Sequence, residues 1–404
     1  MIKKILFDIS KIVNSTAVAQ LLPLLALPIF SRLYSPQDFA DFAIYLATAA
    51  ITSVLFSLRV EASLLSARNN NRTIRAFIQL YAVIAVSMLI IMTTLFWITT
   101  LFISVHIYVL GGILTGFFWS AFNAFQNYLI WKDDVGKVGR LIIIRAIFVV
   151  SFTFILADIT PLGQIWGFAL GYILIGSLAI YKLCNFFNKP SKALLKYAYK
   201  YNKNNLKYLA PHTLYNMLTL QSPVYILSTF YLPSSIGLYS MANRLIGTPI
   251  SFFTVATNKI LHKQFASLNH QGNNKLQWHL AKKVMYILVS IFLTSLCIFT
   301  FIGDSLVVTL LGNEWAQTYY IILALSPWFL FRTIAGAFSF ITILKNKQKS
   351  ALKLEVFYGV VSLGTLITAG LTGASFIQSI TYFSAAGSSI VALQLYWYKT
   401  LIKE

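Results

Sequence analysis

The sequence predicts an all-α polytopic membrane protein with about twelve transmembrane helices, and its composition is the first reason. Of the 404 residues, 58% are hydrophobic and only 11% are charged, whereas soluble domains carry about 25% charged residues. A soluble fold of this length could not bury so much apolar surface. Lipid must therefore cover most of the molecule.

Long apolar stretches are the second reason, because a spanning helix needs about 20 predominantly apolar residues. The first stretch follows Lys3, Lys4 and Lys11 and is too long for the core of a signal peptide, so we expect the chain to keep it. The expected spans are 10–31, 39–65, 76–97, 108–131, 140–157, 162–184, 208–231, 236–260, 282–302, 315–343, 352–370 and 375–398.

The distribution of charge is the third reason. The formal net charge of +21 lies in short loops, which is typical of an orientation signal and not of a nucleic-acid surface. With the N-terminus inside, 27 of the 32 Lys and Arg residues fall in inside segments, and only Arg32 falls outside. This bias predicts that both termini are cytoplasmic. The other four lie within expected spans: Arg59, Arg145, Arg244 and Arg332.

The two halves of the chain resemble each other. Ser31–Pro36 ends the first span and Ser228–Pro233 ends the seventh, and the two prolines lie 197 positions apart. Six crossings separate these points, so we expect two parallel-related six-helix bundles around a central cavity. The expected domains are an N-terminal bundle at 1–187, a basic cytoplasmic linker at 188–205 and a C-terminal bundle at 206–404.

Ionisable residues inside spans are costly and usually face a bundle interior or a cavity. The four arginines are therefore candidate ligands for an anionic substrate, since a guanidinium stays charged and binds phosphate through two donors. The alternative is that their long side chains extend to the lipid headgroups. Polar side chains at helical spacing join them as candidates, although such groups also hold helices together. These are Asn123 and Asn127 in the fourth span and Asn243 in the eighth.

Glu61 is the candidate site for a coupling ion, either a proton or sodium. It lies near the inner end of the second span, two residues after Arg59. On a straight helix these two side chains point about 200° apart, so we expect that they do not face one cavity together. The alternative is that Glu61 forms an ion pair with Arg145 or a neighbouring basic group.

The sequence shows no pattern typical of an enzyme. It has no nucleotide-binding glycine loop, no metal-ligand cluster and no set of residues for nucleophilic catalysis. The five histidines are scattered, and the two cysteines lie in or beside apolar segments. We expect no catalytic residues, no cofactor, no metal and no nucleic-acid partner.

Three stretches carry a resemblance to a known family. They are the opening run from Gln20 to Phe39, the triplet Arg59-Val60-Glu61, and Leu311–Trp315 with the following Leu325–Trp328. The chain resembles Wzx-type O-antigen and polysaccharide flippases, which belong to the multidrug/oligosaccharidyl-lipid/polysaccharide exporter superfamily. Ala40 departs from the family pattern, which usually has glycine there.

This resemblance implies the exporter fold and a function in lipopolysaccharide or capsule biosynthesis. The implied substrate is a polyprenyl-pyrophosphate-linked oligosaccharide, flipped across the bacterial inner membrane by alternating access. A proton or sodium gradient would drive the exchange. Membrane lipids are implied partners, as are a polysaccharide polymerase and a chain-length protein.

Two other functions remain open. A small-molecule or drug antiporter of the same superfamily should carry acids in its cavity if it exports cations, whereas here the arginines within spans outnumber Glu61. A membrane-embedded polysaccharide polymerase should have a sizeable outer loop, and the outer loops expected here are short.

The expected topology can be tested with reporter fusions. Fusions after residues 70, 195 and 270 should report the cytoplasm, and fusions after residues 35, 104 and 233 should report the outside, because the inside segments hold the basic residues. Two or more reversed fusions would contradict the twelve-helix arrangement.

Overall fold

Helices make up almost the whole chain. The computed structural model describes residues 2–66, 71–104, 106–186, 191–270, 274–345 and 347–403, and none of these residues lies in a strand. The α-helices are α1 (Ile2–Leu33), α2 (Pro36–Ser57), α3 (Asn71–Thr100), α4 (Ile107–Trp131), α5 (Val135–Ile155), α6 (Gly163–Cys184), α7 (Lys192–Asn204), α8 (Ala210–Phe230), α9 (Pro233–Ala242), α10 (Thr248–His270), α11 (Asn274–Leu311), α12 (Thr318–Phe338), α13 (Ile341–Leu344), α14 (Gln348–Leu371) and α15 (Phe376–Lys403).

Four short segments interrupt this pattern. Two are 3₁₀ turns, Val60–Ser66 after α2 and Asn313–Trp315 before α12. Two are π-helical turns, Asn205–Leu209 between α7 and α8 and Asn243–Gly247 between α9 and α10. Turns of both kinds change the register of the side chains that follow them.

The all-α membrane fold is confirmed. Among the described residues, ten helical stretches are long and apolar enough to cross a membrane. The expected seventh and eighth spans are also helical but more polar, and α8 carries His212, Asn216 and Gln221. With these two, the chain has about twelve transmembrane helices. The expected end of the second span at residue 65 is wrong, because α2 stops at Ser57.

Helix starts are encoded locally. The Ser35 hydroxyl and backbone N–H both donate to the Asp38 carboxylate over 2.8 Å, and Pro36 occupies the first position of α2. This is a capping box, which supplies partners for otherwise unpaired N–H groups. Pro233 begins α9 in the same way. At α15, the Ser375 backbone N–H donates to Gln378 over 3.0 Å.

The chain forms two compact units. The first comprises Met1–Tyr34 and Asp41–Ser222, and the second comprises Ser35–Ala40 and Pro223–Glu404. Helix α7, which occupies most of the expected linker at 188–205, belongs to the first unit. The division into bundles at 1–187 and 206–404 stays a prediction. The start of that linker, 188–190, lies outside the described residues.

Each unit has its own buried apolar core. In the first unit, fully buried rings from α3 and α4 lie at the centre, as Phe77 and Phe122 show. In the second, Phe265 of α10 packs edge-on against Phe340, with ring centroids 5.2 Å apart. Large apolar side chains also cover the outside, and Phe301 of α11 is 83% exposed. Such exposure fits a surface whose solvent is hydrocarbon.

The start of α9 meets the start of α2 at unusually short range within the second unit. A Cβ built on Gly237 would lie only 1.7 Å from the Pro36 carbonyl oxygen. Because the obstructing atom belongs to the backbone, any larger residue at this position would force the two helix starts apart. Gly237 stands 197 positions after Ala40, at the corresponding place in the internal repeat.

We therefore expect Gly237→Ala to destabilise the protein by about 1–3 kcal/mol, as overpacking of a tight contact does. The measurement is thermal unfolding of purified protein in detergent. Gly364→Ala is the matched control, because nothing lies within 4 Å of a Cβ added there. Equal melting temperatures for the two variants would contradict the close approach.

Candidate functional site

The turn after α2 brings Arg59 and Glu61 together. Leu58 and Arg59 have φ values of 42° and 60°, which lie in the left-handed region that non-glycine residues seldom adopt. This reversal ends the helix and starts the 3₁₀ turn that contains Glu61. Arg59 Nη1 then donates to Glu61 Oε1 over 3.3 Å. Residues in such strained conformations cluster at functional sites.

The expectation that Arg59 and Glu61 point apart is wrong for this reason. It assumed that an α-helix continued through both residues, whereas the chain leaves α-helical geometry at Leu58, three residues before Glu61. Arg59, and not Arg145, is the partner that the structure gives to Glu61. Glu61 also follows the last residue of the candidate span that ends at Ser57.

Burial distinguishes the two members of this pair. The Glu61 side chain is 2% exposed, and that of Arg59 is 37% exposed. Burial raises the pKa of the Glu61 carboxyl, and the nearby Arg59 guanidinium partly offsets that effect. A carboxyl in this setting takes up a proton more readily than one in water. The carboxyl in this turn therefore holds a proton more readily than an exposed glutamate does.

Three amides hold the turn in place. Asn127 of α4 donates from Nδ2 to the Glu61 backbone oxygen over 3.1 Å. Ser63 donates to the Asn202 side-chain oxygen on α7, and Asn205 donates to the Ser63 hydroxyl over 2.7 Å. The turn is thereby attached both to a spanning helix and to α7. Asn127 acts here as a positioning residue, and Asn123 lies half-buried one helical turn before it.

Arg145 lies in an aromatic cluster within the first unit. Its Nη1 donates to the Tyr172 hydroxyl over 2.7 Å, and its guanidinium carbon lies 5.2 Å from the centre of the same ring. Trp119 packs on Tyr172 with ring centroids 4.9 Å apart. The side chain is thus held by α6 and does not extend away from the bundle.

Arg332 lies in a similar cluster within the second unit. Its guanidinium carbon is 4.8 Å from the centre of the Trp328 ring one turn earlier on α12. Trp328 donates from Nε1 to the Tyr358 hydroxyl of α14 over 2.8 Å. Each unit therefore contains a cluster in which an arginine lies beside a tryptophan and a tyrosine. Such a cluster offers a cation and flat apolar faces together.

Arg244 and Asn243 lie in the π-helical turn between α9 and α10. The Arg244 guanidinium carbon is 5.2 Å from the centre of the Phe39 ring, which packs edge-on against Trp315. Asn243 Nδ2 donates to the Tyr239 backbone oxygen over 3.0 Å, one turn earlier. The π turn interrupts the single polar stripe expected on the eighth span, because that stripe assumed regular α-helical spacing.

Several residues of these sites were missed by sequence reasoning. Tyr172 and Tyr358 were not singled out, because tyrosines in apolar helices are common and their partners lie far away in sequence. Asn202 and Ser63 were missed for the same reason, since 139 positions separate them. Trp119 and Trp328 carried a usable signal, because Trp119 precedes Asn123 and Trp328 precedes Arg332 by one helical turn.

One cavity of about 680 Å³ lies in the first unit, where α3 begins and α4 and α6 end. Its lining combines two cations with amides and aromatic rings: Asn71, Arg75, Tyr128, Trp131, Lys132, Asp133, Asn185 and Phe186. None of the predicted site residues lines it. Among the described residues, no three or more His, Cys, Asp or Glu side chains are grouped so that they could hold a metal ion.

Comparison with known proteins places this architecture in a family. The family model described as "Polysaccharide biosynthesis protein" matches residues 29–320, which is well over half of the chain. The chain belongs to this family. The matched region includes α2, the Glu61 turn and the Arg145 and Arg244 sites. The family match confirms the resemblance to proteins of polysaccharide export that the sequence predicted. A comparison with curated protein sequences finds no match.

Solved structures with the same fold include members of the MOP superfamily. The lipid II flippase MurJ, in an inward closed conformation, aligns with a TM-score of 0.74 at 13% identity, covering 98% of this chain and 90% of that one. An outward-facing multidrug resistance transporter of the MATE family gives 0.60 at 13%, covering 98% and 95%. A superfamily transporter from Pyrococcus furiosus Vc1 gives 0.54 at 11%, also covering 98% and 95%. This chain therefore has the fold of these membrane transporters.

Proposed function

We propose that this protein is a flippase for a polyprenyl-pyrophosphate-linked oligosaccharide, an O-antigen or capsule repeat unit. Two comparisons support the proposal: the family is one of polysaccharide biosynthesis, and the fold is shared with a lipid II flippase. The observation that carries it is the pairing of arginine with tryptophan and tyrosine, with one such cluster in each unit. The proposed location is the bacterial inner membrane, with both termini in the cytoplasm.

These clusters suit the two polar parts of such a substrate. A diphosphate is best bound by guanidinium groups, which donate two parallel hydrogen bonds to its oxygens. Sugar rings pack well on flat aromatic faces, and Trp328 and Tyr358 provide such faces beside Arg332. The polyprenyl tail needs no protein site, because it stays soluble in the bilayer. The proposed substrate-binding residues remain Arg59, Arg145, Arg244, Arg332, Asn123, Asn127 and Asn243.

The proposed mechanism is alternating access coupled to a proton or sodium gradient through Glu61. An ion shifts a conformational equilibrium only by its different affinity for the two states. A carboxylate that pairs with Arg59 in one state and binds the ion in the other would provide that difference. The 3.3 Å contact between Arg59 and Glu61, held by the strained turn, would represent the state in which the carboxylate is paired and the ion is not bound.

A drug antiporter is the alternative, since MATE transporters share the fold. A site for cationic drugs needs acidic groups. In the described clusters around Arg145 and Arg332, the contacts come from aromatic rings and hydroxyls, with no carboxylate among them. This chemistry favours an anionic substrate.

We expect Arg332→Gln to lower translocation at least about tenfold, because it removes a charge-assisted contact to phosphate. The assay uses proteoliposomes loaded with a polyprenyl-pyrophosphate oligosaccharide and follows its exposure to an external lectin. Arg140→Gln is the matched control, since Arg140 is an exposed arginine near the start of α5. If both variants translocate normally while cationic dyes are exported, the antiporter function is correct.

Glu61→Gln tests the coupling separately. It keeps the size of the side chain and removes its charge, so translocation should fall or become independent of the imposed proton or sodium gradient. Asp134→Asn is the control, because Asp134 is a carboxylate on the surface that pairs with Lys137. Normal translocation by Glu61→Gln with unchanged gradient dependence would show that Glu61 is only structural.

A further inference from the structure

Helix α7 has three distinct faces. Successive residues of an α-helix are rotated by about 100°, so positions 192, 196, 200 and 203 fall on one side, and 207 follows after the π turn. All five are exposed lysines. No acidic residue occurs between 191 and 209. This lysine face therefore carries its positive charge without compensation from its own segment.

A second face attaches α7 to the first unit. Ala198 and Asn202 are completely buried, and Leu194, Leu195 and Leu206 pack against the apolar core. Asn202 also donates to the Ala198 backbone oxygen over 2.9 Å and accepts from Ser63. The helix is thus a fixed part of the unit, held by both apolar and polar contacts.

The third face carries tyrosines. Tyr197 and Tyr201 are 48% and 49% exposed, and Tyr208, which lies in the π-helical turn after α7, is 62% exposed. The Tyr201 ring lies 5.0 Å from that of Phe77 on the spanning helix α3, which places this face beside a membrane-crossing segment. Tyrosine concentrates at membrane interfaces, where its ring meets the apolar region and its hydroxyl stays in water. If this face were surrounded by water, the apolar parts of the three rings would stay hydrated, which is unfavourable in free energy.

We propose that α7 lies in the membrane interface and that its lysine face binds the headgroups of anionic phospholipids. The lysine face is attracted to the negative charge of the headgroups, and the tyrosines favour the interface between water and lipid. The buried face with Ala198 and Asn202 holds the helix against the first unit and so sets its depth. This inference does not depend on what the protein carries. Because Asn202 and Asn205 bind Ser63, bound headgroups would also brace the turn that contains Glu61.

The test is native mass spectrometry of the purified full-length protein, titrated with phosphatidylglycerol or with phosphatidylethanolamine. Each lysine near an anionic surface contributes about a fivefold change in affinity. The triple variant K196Q/K200Q/K203Q should therefore bind phosphatidylglycerol at least about tenfold more weakly. Its binding of phosphatidylethanolamine should stay unchanged, and K196R/K200R/K203R should retain the affinity of the parent protein.

The matched control removes the same charge elsewhere. K347Q/K349Q/K353Q takes away three exposed lysines around the start of α14 and should keep nearly full phosphatidylglycerol affinity. An equal loss in this control, or no loss in the α7 variant, would overturn the proposal. If the α7 triple variant does not fold, K200Q decides by itself. A fivefold loss then supports the lipid site, and an unchanged affinity excludes it.

Discussion

A backbone that crosses a bilayer has to satisfy its own hydrogen bonds, because hydrocarbon offers none. This constraint explains why nearly every described residue is helical, and it gives a reason for the proline and capping starts of α2 and α9. It also gives meaning to the exceptions. The left-handed pair Leu58–Arg59 and the π turn at Asn243–Gly247 are two of the places where the chain departs from regular α-helix, and two candidate charged residues, Arg59 and Arg244, lie there.

Both arginine clusters place a guanidinium beside aromatic rings, but the contacts differ between the two. Arg145 receives its tyrosine from α6, whereas Arg332 reaches Tyr358 only through the ring of Trp328. In both clusters the half-buried arginine lies over an aromatic ring, and the Tyr172 hydroxyl accepts a hydrogen bond from Arg145. Among the described residues, no carboxylate pairs with either guanidinium, which is the arrangement that the proposed binding of an anion requires. Arg59 differs, because Glu61 neutralises it.

Hydropathy was sufficient to predict the membrane fold and most span boundaries, because lipid selects for length and apolarity alone. It failed at the second span, where Val60, Leu64 and Leu65 continue the apolar pattern although the helix has ended. Buried 3₁₀ residues are as apolar as helical ones. The site was predictable in its charges, which are conspicuous in such a chain. Partners such as Tyr172 were not, because contacts between helices depend on packing that a single sequence does not record.

The contact between Gly237 and the Pro36 carbonyl has a consequence for the ancestry of the chain. A protein assembled from two identical copies of the first half would carry alanine at that place, as position 40 shows. Its methyl group could not fit against the carbonyl. A chain built by duplication therefore needs glycine at the later of the two positions, and the two halves of this chain are not interchangeable at this point.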